Sequence, residues 1–338
     1  MTKPMSLRRS SRARRALALC LLAVSLLAAS LLPAPAGAAA EPENPKPRLA
    51  VEFTIMPWLR LWAVDPDASP PGANDWNCKP SDRHPEPVVL VHGIVATRSY
   101  WATLAPLLAN EGYCVFAVTY GVKAGLPGFG GIEAMERSSP QLGEFVDRVL
   151  AATGAHKVDL VGHSEGTVVS QYYLKFLGGA AKVAKAVGLA GAYQGTTFWG
   201  TTSLLDAVGR LPFGIGARLL AGLDEFCGAC RQLVAGSEFL AHLDEGGARA
   251  VAGVDYTLVV SRHDELVTPY TSGTLEGPNA RNVVVQDGCP IDFAEHGAIA
   301  WTPRAARIVL NALDPAHTRP PVCIFTLFGY GAITPTSY

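Results

Sequence analysis

The chain has 338 residues, 49% of them apolar and 17% charged, with a formal net charge of −1. That length suits one α/β domain carrying an insertion, and the apolar share supplies a large core. With the first forty residues set aside, no basic patch remains to hold nucleic acid, and no further apolar run is long enough to span a bilayer.

Residues 1–40 read as a secretory signal peptide. Lys3, Arg8, Arg9, Arg12, Arg14 and Arg15 are followed by an apolar run from Ala16 to Leu32, then by Pro33-Ala-Pro-Ala-Gly-Ala-Ala-Ala40. Basic, apolar and small-residue regions in that order mark an exported protein, with cleavage expected after Ala38 or Ala40. A membrane anchor fits less well, because the run is short and two prolines close it. Removal of this segment lowers Lys plus Arg from 28 to 22 against 29 Asp plus Glu, so the mature chain is acidic. A secreted monomer without a membrane anchor is expected.

Residues 41–87 are rich in Pro and polar residues and read as an extended N-terminal arm packed on the main domain, which is expected over 88–338. Val88–Val91 is a wholly apolar run, as in a buried parallel strand. Ser99–Asn110 has helical spacing, and Val115–Thr119 reads as the next strand. A helix is predicted over Ser138–Thr153, a strand over Val158–Val161, a helix over Gly166–Leu177 and a strand over Val183–Leu189. Alternation of this kind makes a mostly parallel sheet with helices on both faces. The rhythm breaks at about 192–250, where short apolar pieces are separated by glycines. Phe198, Trp199, Leu204, Leu205, Leu211, Phe213, Ile215, Leu219, Leu220 and Leu223 make this a helical cap, either packed on the core or moving as a lid. Strands return at Tyr256–Val260 and Asn282–Val285, and Thr302–Leu313 reads as the last helix, with Pro303 in its first turn.

Six cysteines remain after the signal: Cys78, Cys114, Cys227, Cys230, Cys289 and Cys323. An even number in an exported chain reads as disulfides. Six cysteines admit fifteen pairings; nearest neighbours give Cys78–Cys114, Cys227–Cys230 and Cys289–Cys323. The rival for Cys227-Gly-Ala-Cys230 is a redox or zinc motif, but His242 alone does not complete a zinc site.

The chemistry concentrates in Gly162-His-Ser-Glu-Gly166, which has the form G-x-S-x-G between a predicted strand and a predicted helix. Such a turn exposes the Ser164 hydroxyl and sets the next backbone N–H at a helix N-terminus, where negative charge is favoured. A serine needs a base, and in this arrangement the partners follow as acid and then histidine. Of the downstream histidines, His242 lies in the insertion, His263 adjoins the best acid and His317 follows the last helix. His296, between the last strand and last helix, is the expected base. Asp264, after strand 256–260, is the expected acid, with Glu265, Asp287 and Asp292 as rivals. The loop after Val88–Val91 is expected to supply one oxyanion donor, the Ile94 N–H, with the Glu165 N–H as the other. His92 is read as a structural hydrogen-bonding residue. The Glu165 carboxylate is expected to face away from the site in the first helical turn.

Val88-Val-Leu-Val-His-Gly-Ile94, Gly162-His-Ser-Glu-Gly166, Ser261-Arg-His-Asp-Glu-Leu-Val-Thr-Pro269 and Glu295-His-Gly297 together resemble the secreted bacterial α/β-hydrolase lipases, in particular actinobacterial triacylglycerol lipases and esterases. Asn77-Cys-Lys-Pro80, Gly112-Tyr-Cys-Val-Phe116 and Gly236-Ser-Glu-Phe-Leu240 are similar to that group as well. The resemblance spans roughly residues 74–313. It implies an α/β-hydrolase fold, a Ser164–Asp264–His296 triad, an oxyanion hole from Ile94 and Glu165, a lipid or small ester substrate and no organic cofactor. Some members use calcium near the histidine loop, which Asp287 and Asp292 flank here; two carboxylates do not make a metal site, and none is assigned. A glutamate after the serine is less usual in this group than an uncharged residue. The expected activity is triacylglycerol hydrolysis through an acyl-enzyme, with a short-chain carboxylesterase or an acyltransferase as the alternatives.

Overall fold

The computed structural model describes residues 47–198, 208, 214–247 and 249–333. The signal read at 1–40 and the cap residues Trp199, Leu204, Leu205, Leu211 and Phe213 lie outside the described residues.

Helix α1 spans Met56–Val64, within the arm that reads as extended in sequence. Pro57 sits in its first turn, where no N–H is required, and Thr54 Oγ1 accepts the Met56 N–H at 3.2 Å. Trp58 of α1 stacks on Trp301 and meets Tyr100 edge-on, so the helix is held by side chains remote in sequence. Strand β1 is Val88–Val91. The stretch predicted as one helix over 99–110 divides into a 3₁₀ turn at Arg98–Trp101 and helix α2 at Leu104–Asn110. Pro106 explains the division: it cannot donate backward, so α2 begins late enough to keep it in the first turn. Strand β2 is Val115–Val118, helix α3 Met135–Thr153, strand β3 Val158–His163, helix α4 Glu165–Phe176 and strand β4 Val183–Leu189. The insertion contributes α5 (Ile215–Phe226), α6 (Gly228–Gln232) and α7 (Glu238–Leu243). Strands β5 (Asp255–Val260) and β6 (Ala280–Val284) follow, then α8 (Pro303–Leu313). A small antiparallel hairpin pairs β7 (Thr326–Leu327) with β8 (Gly331–Ala332).

The six strands β1–β6 form one parallel sheet in the order β2-β1-β3-β4-β5-β6. Alternate residues of β1 serve opposite faces. Val88 and Leu90 join a core with α2, α8, Trp101 and Trp301. Val89 and Val91 join a second core with Leu142 and Val146 of α3 and Val168 and Leu174 of α4. Burial on both faces is why the strand reads as continuously apolar. From β1 the chain moves to β2 on one side and then to β3 on the other. That reversal opens a crevice beyond the strand ends, where α/β sheets place their sites.

Helix α3 starts three residues before the predicted Ser138. Its N-terminal residue, Met135, donates to Gln232 Oε1 of α6 at 2.7 Å, so the cap comes from the insertion and not from a neighbouring side chain. The six cysteines pair as nearest neighbours: Cys78–Cys114, Cys227–Cys230 and Cys289–Cys323. No helix among the described residues is long and apolar enough to cross a membrane.

Candidate active site

Ser164 occupies the turn between β3 and α4, at the crevice where the strand order reverses. Its backbone has φ 52° and ψ −123°, a strained conformation for a residue with a Cβ. Flanking bonds hold it there: Ser164 N–H donates to Leu189 O at 2.9 Å, and Thr167 N–H donates to Ser164 O at 3.0 Å. The two glycines of the motif are sterically required. A Cβ on Gly166 would lie 2.3 Å from Val91 O and 2.4 Å from His92 O, and one on Gly162 would lie 3.1 Å from Gly166 C. The start of α4 thus rests directly on the end of β1.

Two other strand ends bring partners to this serine. His296 Nε2 lies 2.9 Å from Ser164 Oγ, and His296 Nδ1 lies 3.0 and 2.9 Å from the two oxygens of Asp264. Asp264 is held in turn, since Leu266 N–H and Val267 N–H donate to its Oδ1 at 3.0 and 2.7 Å. Glu265, the nearest rival acid, instead accepts the His296 backbone N–H at 3.2 Å. All three side chains of the row are largely buried, with residue exposures of 5% for Ser164, 8% for Asp264 and 5% for His296. The row supplies what activation of a hydroxyl requires: an acceptor for its proton, and a carboxylate that fixes the tautomer of that acceptor.

The expected oxyanion donors border the serine. A Cβ on Gly93 would lie 3.0 Å from Ser164 Cβ, so the Gly93-Ile94 backbone passes against the Ser164 turn. Glu165 is the first residue of α4, and its N–H therefore has no partner within the helix. The Ile94 N–H enters no backbone pairing among the described residues. His92, read as structural, is fully buried: Nδ1–H donates to Gly93 O at 2.8 Å, Nε2 accepts the Tyr120 N–H at 3.3 Å, and the ring stacks on Tyr120. Burial holds its pKa down at about 4, so it is neutral.

Two positions depart from the sequence reading. The Glu165 carboxyl does not reach solvent at the helix start. The residue is 0% exposed, and neither carboxyl oxygen has a hydrogen-bond partner among the described residues. Burial raises its pKa well above the usual carboxylate range. The favourable helix terminus does not offset that desolvation. His163, which the motif leaves as a variable position, contributes to the site. Its Nε2–H donates to His296 O at 2.8 Å and lies 3.3 Å from Tyr100 Oη, which itself donates to Gly297 O at 3.0 Å. Burial, with His296 close by, holds the His163 pKa well below its usual value. A neutral His163 and Tyr100 thus tie the histidine loop to the Ser164 turn. The sequence carried one signal for this, a polar residue just before the serine at the end of a buried strand.

The two carboxylates that flank the histidine loop are engaged with other residues. Asp287 pairs with Arg262 at 2.6 Å, and Asp292 Oδ1 accepts from Ala294 N–H and Thr326 Oγ1 at 3.0 and 2.5 Å. Among the described residues no group of three or more His, Cys, Asp or Glu is placed to hold a metal ion. A surface cleft of about 790 Å³ lies between the start of α3 and the insertion, lined by Glu136, Arg137, Leu220, Asp224 and Arg231 among others, and it includes none of Ser164, Asp264 and His296.

The model of the family described as Lipase (class 2) matches residues 85–307. A triacylglycerol lipase of Pseudarthrobacter phenanthrenivorans is 38% identical over 92 residues, covering 25% of this chain and 27% of that protein. A triacylglycerol lipase of Burkholderia plantarii is also 38% identical over 92 residues, covering 25% of this chain and 24% of that protein. The chain therefore matches about a quarter of the length of each relative. Lipase B of Aspergillus fumigatus superposes with a TM-score of 0.55 at 18% identity, covering 75% of this chain and 56% of that one. That likeness identifies the fold as the α/β-hydrolase fold.

Proposed function

Because the chain belongs to the class 2 lipase family, we propose that it hydrolyses carboxylic esters of lipids, with triacylglycerol as the substrate class, through an acyl-enzyme on Ser164. The observation that carries the reading is the continuous row Asp264–His296–Ser164, with contacts of 2.9 Å on both sides of the imidazole. In this reading Ser164 Oγ attacks the ester carbonyl carbon while His296 Nε2 takes its proton. Asp264 stabilises the resulting imidazolium. The Ile94 and Glu165 N–H groups donate to the oxyanion of the tetrahedral intermediate. Collapse breaks the bond to the alcohol, which leaves with the proton from His296. Water then attacks the acyl-enzyme by the same route and releases the acid.

The lipid preference is supported by α5, which exposes Ile215, Leu219 and Phe226, an apolar face suited to acyl chains. The 192–250 insertion acts in this reading as a cap over the site. The three disulfides suit an exported enzyme, and we assign residues 1–40 as the export signal.

Ser164→Ala tests the chemistry. Ester turnover is expected to drop by about 10⁴-fold or more while the unfolding midpoint stays close to wild type. Retained turnover would falsify the assignment of the nucleophile. A series of esters of increasing chain length separates the substrate readings: preference for long-chain emulsions supports a lipase, and activity confined to short soluble esters makes it a carboxylesterase. Product analysis with added alcohol distinguishes hydrolysis from acyl transfer.

A further inference from the structure

Glu165 presents a buried acid that the proposed mechanism does not use, since only its backbone N–H enters the reaction. Both carboxyl oxygens are buried and without a hydrogen-bond partner among the described residues. The carboxyl lies on the side of the oxyanion loop. A Cβ on Gly131 would meet Glu165 Oε2 at 2.5 Å, Ile94 Cα at 3.0 Å and Gly93 O at 3.2 Å. Gly131 itself is fastened, its N–H donating to Tyr120 O at 2.8 Å. Its neighbour Gly130 donates to Ala96 O at 2.9 Å, just beyond the oxyanion loop. Glycine at 131, with φ 67°, therefore leaves room for the carboxyl between two backbone segments, one of which carries the Ile94 N–H.

Among the described residues, the titratable groups around this pocket offer the carboxyl no positive charge. Tyr120, which follows β2, feels its charge and is raised well above its usual pKa mainly by burial. His92, at the end of β1, stacks on Tyr120 and is neutral. For Glu165 itself desolvation is the cause of the shift, with no offsetting cation among the described residues. An isolated carboxylate in such a place is costly, and the group takes up a proton instead.

We propose that Glu165 is a positioning residue that works protonated: its neutral carboxyl packs against Gly131 and the Gly93-Ile94 backbone and keeps the Ile94 N–H aimed at the oxyanion. Loss of that proton places a second negative charge beside the developing oxyanion and drives the carboxyl towards solvent, displacing the loop. The enzyme then carries an alkaline limit to turnover that does not come from its triad. This rests on the assignment of Ser164 and the oxyanion hole above.

The test is a pH profile of kcat for wild type and Glu165→Gln, measured by pH-stat on emulsified tributyrin, each normalised to its own maximum. The Gln side chain has the same shape and cannot ionise. Wild type is expected to lose about tenfold or more in kcat on the alkaline side, over a range where its unfolding signal is still native. The decline is expected to be absent, or displaced to higher pH, in the Gln variant. Superimposable profiles would overturn the proposal. Should Glu165→Gln not fold, Glu165→Met gives the same comparison with an apolar side chain of similar length. Failure of the ester-hydrolysis reading looks different: wild type itself would then show no Ser164-dependent turnover at any pH.

Discussion

Substitution of Gly166 by Ala tests the physical basis of the nucleophile turn. A Cβ there would meet Val91 O at 2.3 Å, His92 O at 2.4 Å and Val91 C at 2.9 Å. All three are backbone atoms at the end of β1, a strand paired on both edges whose four residues are each 0% exposed. No rotamer change relieves such contacts. Carbon and oxygen need more than 3 Å, so the N-terminus of α4 must retreat by about 1 Å. Overpacking of this kind costs about 1–3 kcal/mol, against up to about 1 kcal/mol gained by replacing glycine within a helix. A displacement of about 1 Å at Ser164 and the Glu165 N–H is expected to lower turnover by about 10²-fold. Gly222→Ala in α5 is the matched control, since among the described residues nothing lies within 4 Å of the added methyl. That variant is expected to gain up to about 1 kcal/mol with turnover retained. Urea unfolding, compared at constant m, reads stability, and tributyrin hydrolysis reads function. A Gly166→Ala enzyme with the wild-type midpoint and full turnover would refute the steric argument.

Other consequences are equally specific. Asp264→Asn is expected to reduce kcat by about 10⁴-fold with little change in fold. The Leu266 and Val267 N–H groups orient the amide oxygen towards themselves and turn its NH₂ towards His296, selecting the wrong tautomer; a loss below tenfold would remove Asp264 from the triad. Replacing Cys78 and Cys114 by Ala opens a loop with a sequence separation of 36 and is expected to cost about 4 kcal/mol by chain entropy. The same change at Cys227 and Cys230, separated by 3, is expected to cost roughly half as much, and equal shifts in the urea midpoint would contradict that ranking. Stability also depends on pH through Glu165, whose folded pKa lies above its unfolded one. The stability from its buried proton is complete below the ordinary carboxylate range and is lost as pH rises through the raised value. The melting temperature of Glu165→Gln relative to wild type should therefore climb steadily with pH; a constant difference would mean that this carboxyl is ionised in the folded enzyme.

Much of this protein is legible in its order of residues. Continuous apolar runs at β1 and β2 identify strands because strands covered on both faces leave no room for polar positions. The glycines at 162 and 166 are legible because the turn they flank is local, and their contacts lie within the motif or on the adjacent strand. The order Ser164, Asp264, His296 is also a linear property, since successive strand ends of a parallel sheet deliver their loops to one edge. What only the tertiary structure decided involves contacts between distant segments. Helix α3 begins at Met135 because Gln232 reaches it across the insertion. Helix α1 forms in a proline-rich arm because Trp301 and Tyr100 receive Trp58. Asp264 and Glu265 are neighbours of equal chemical promise, and the packing turns the first to the imidazole and the second to the backbone N–H of His296. Glu165 shows the same limit most sharply. Local rules place a carboxylate at a helix N-terminus in water, whereas the fold closes Gly131, Tyr120 and the Gly93-Ile94 loop around it. Spacing along the chain sets which backbone each side chain stands on, but its solvation, and hence its charge, is set by whatever the rest of the chain brings against it.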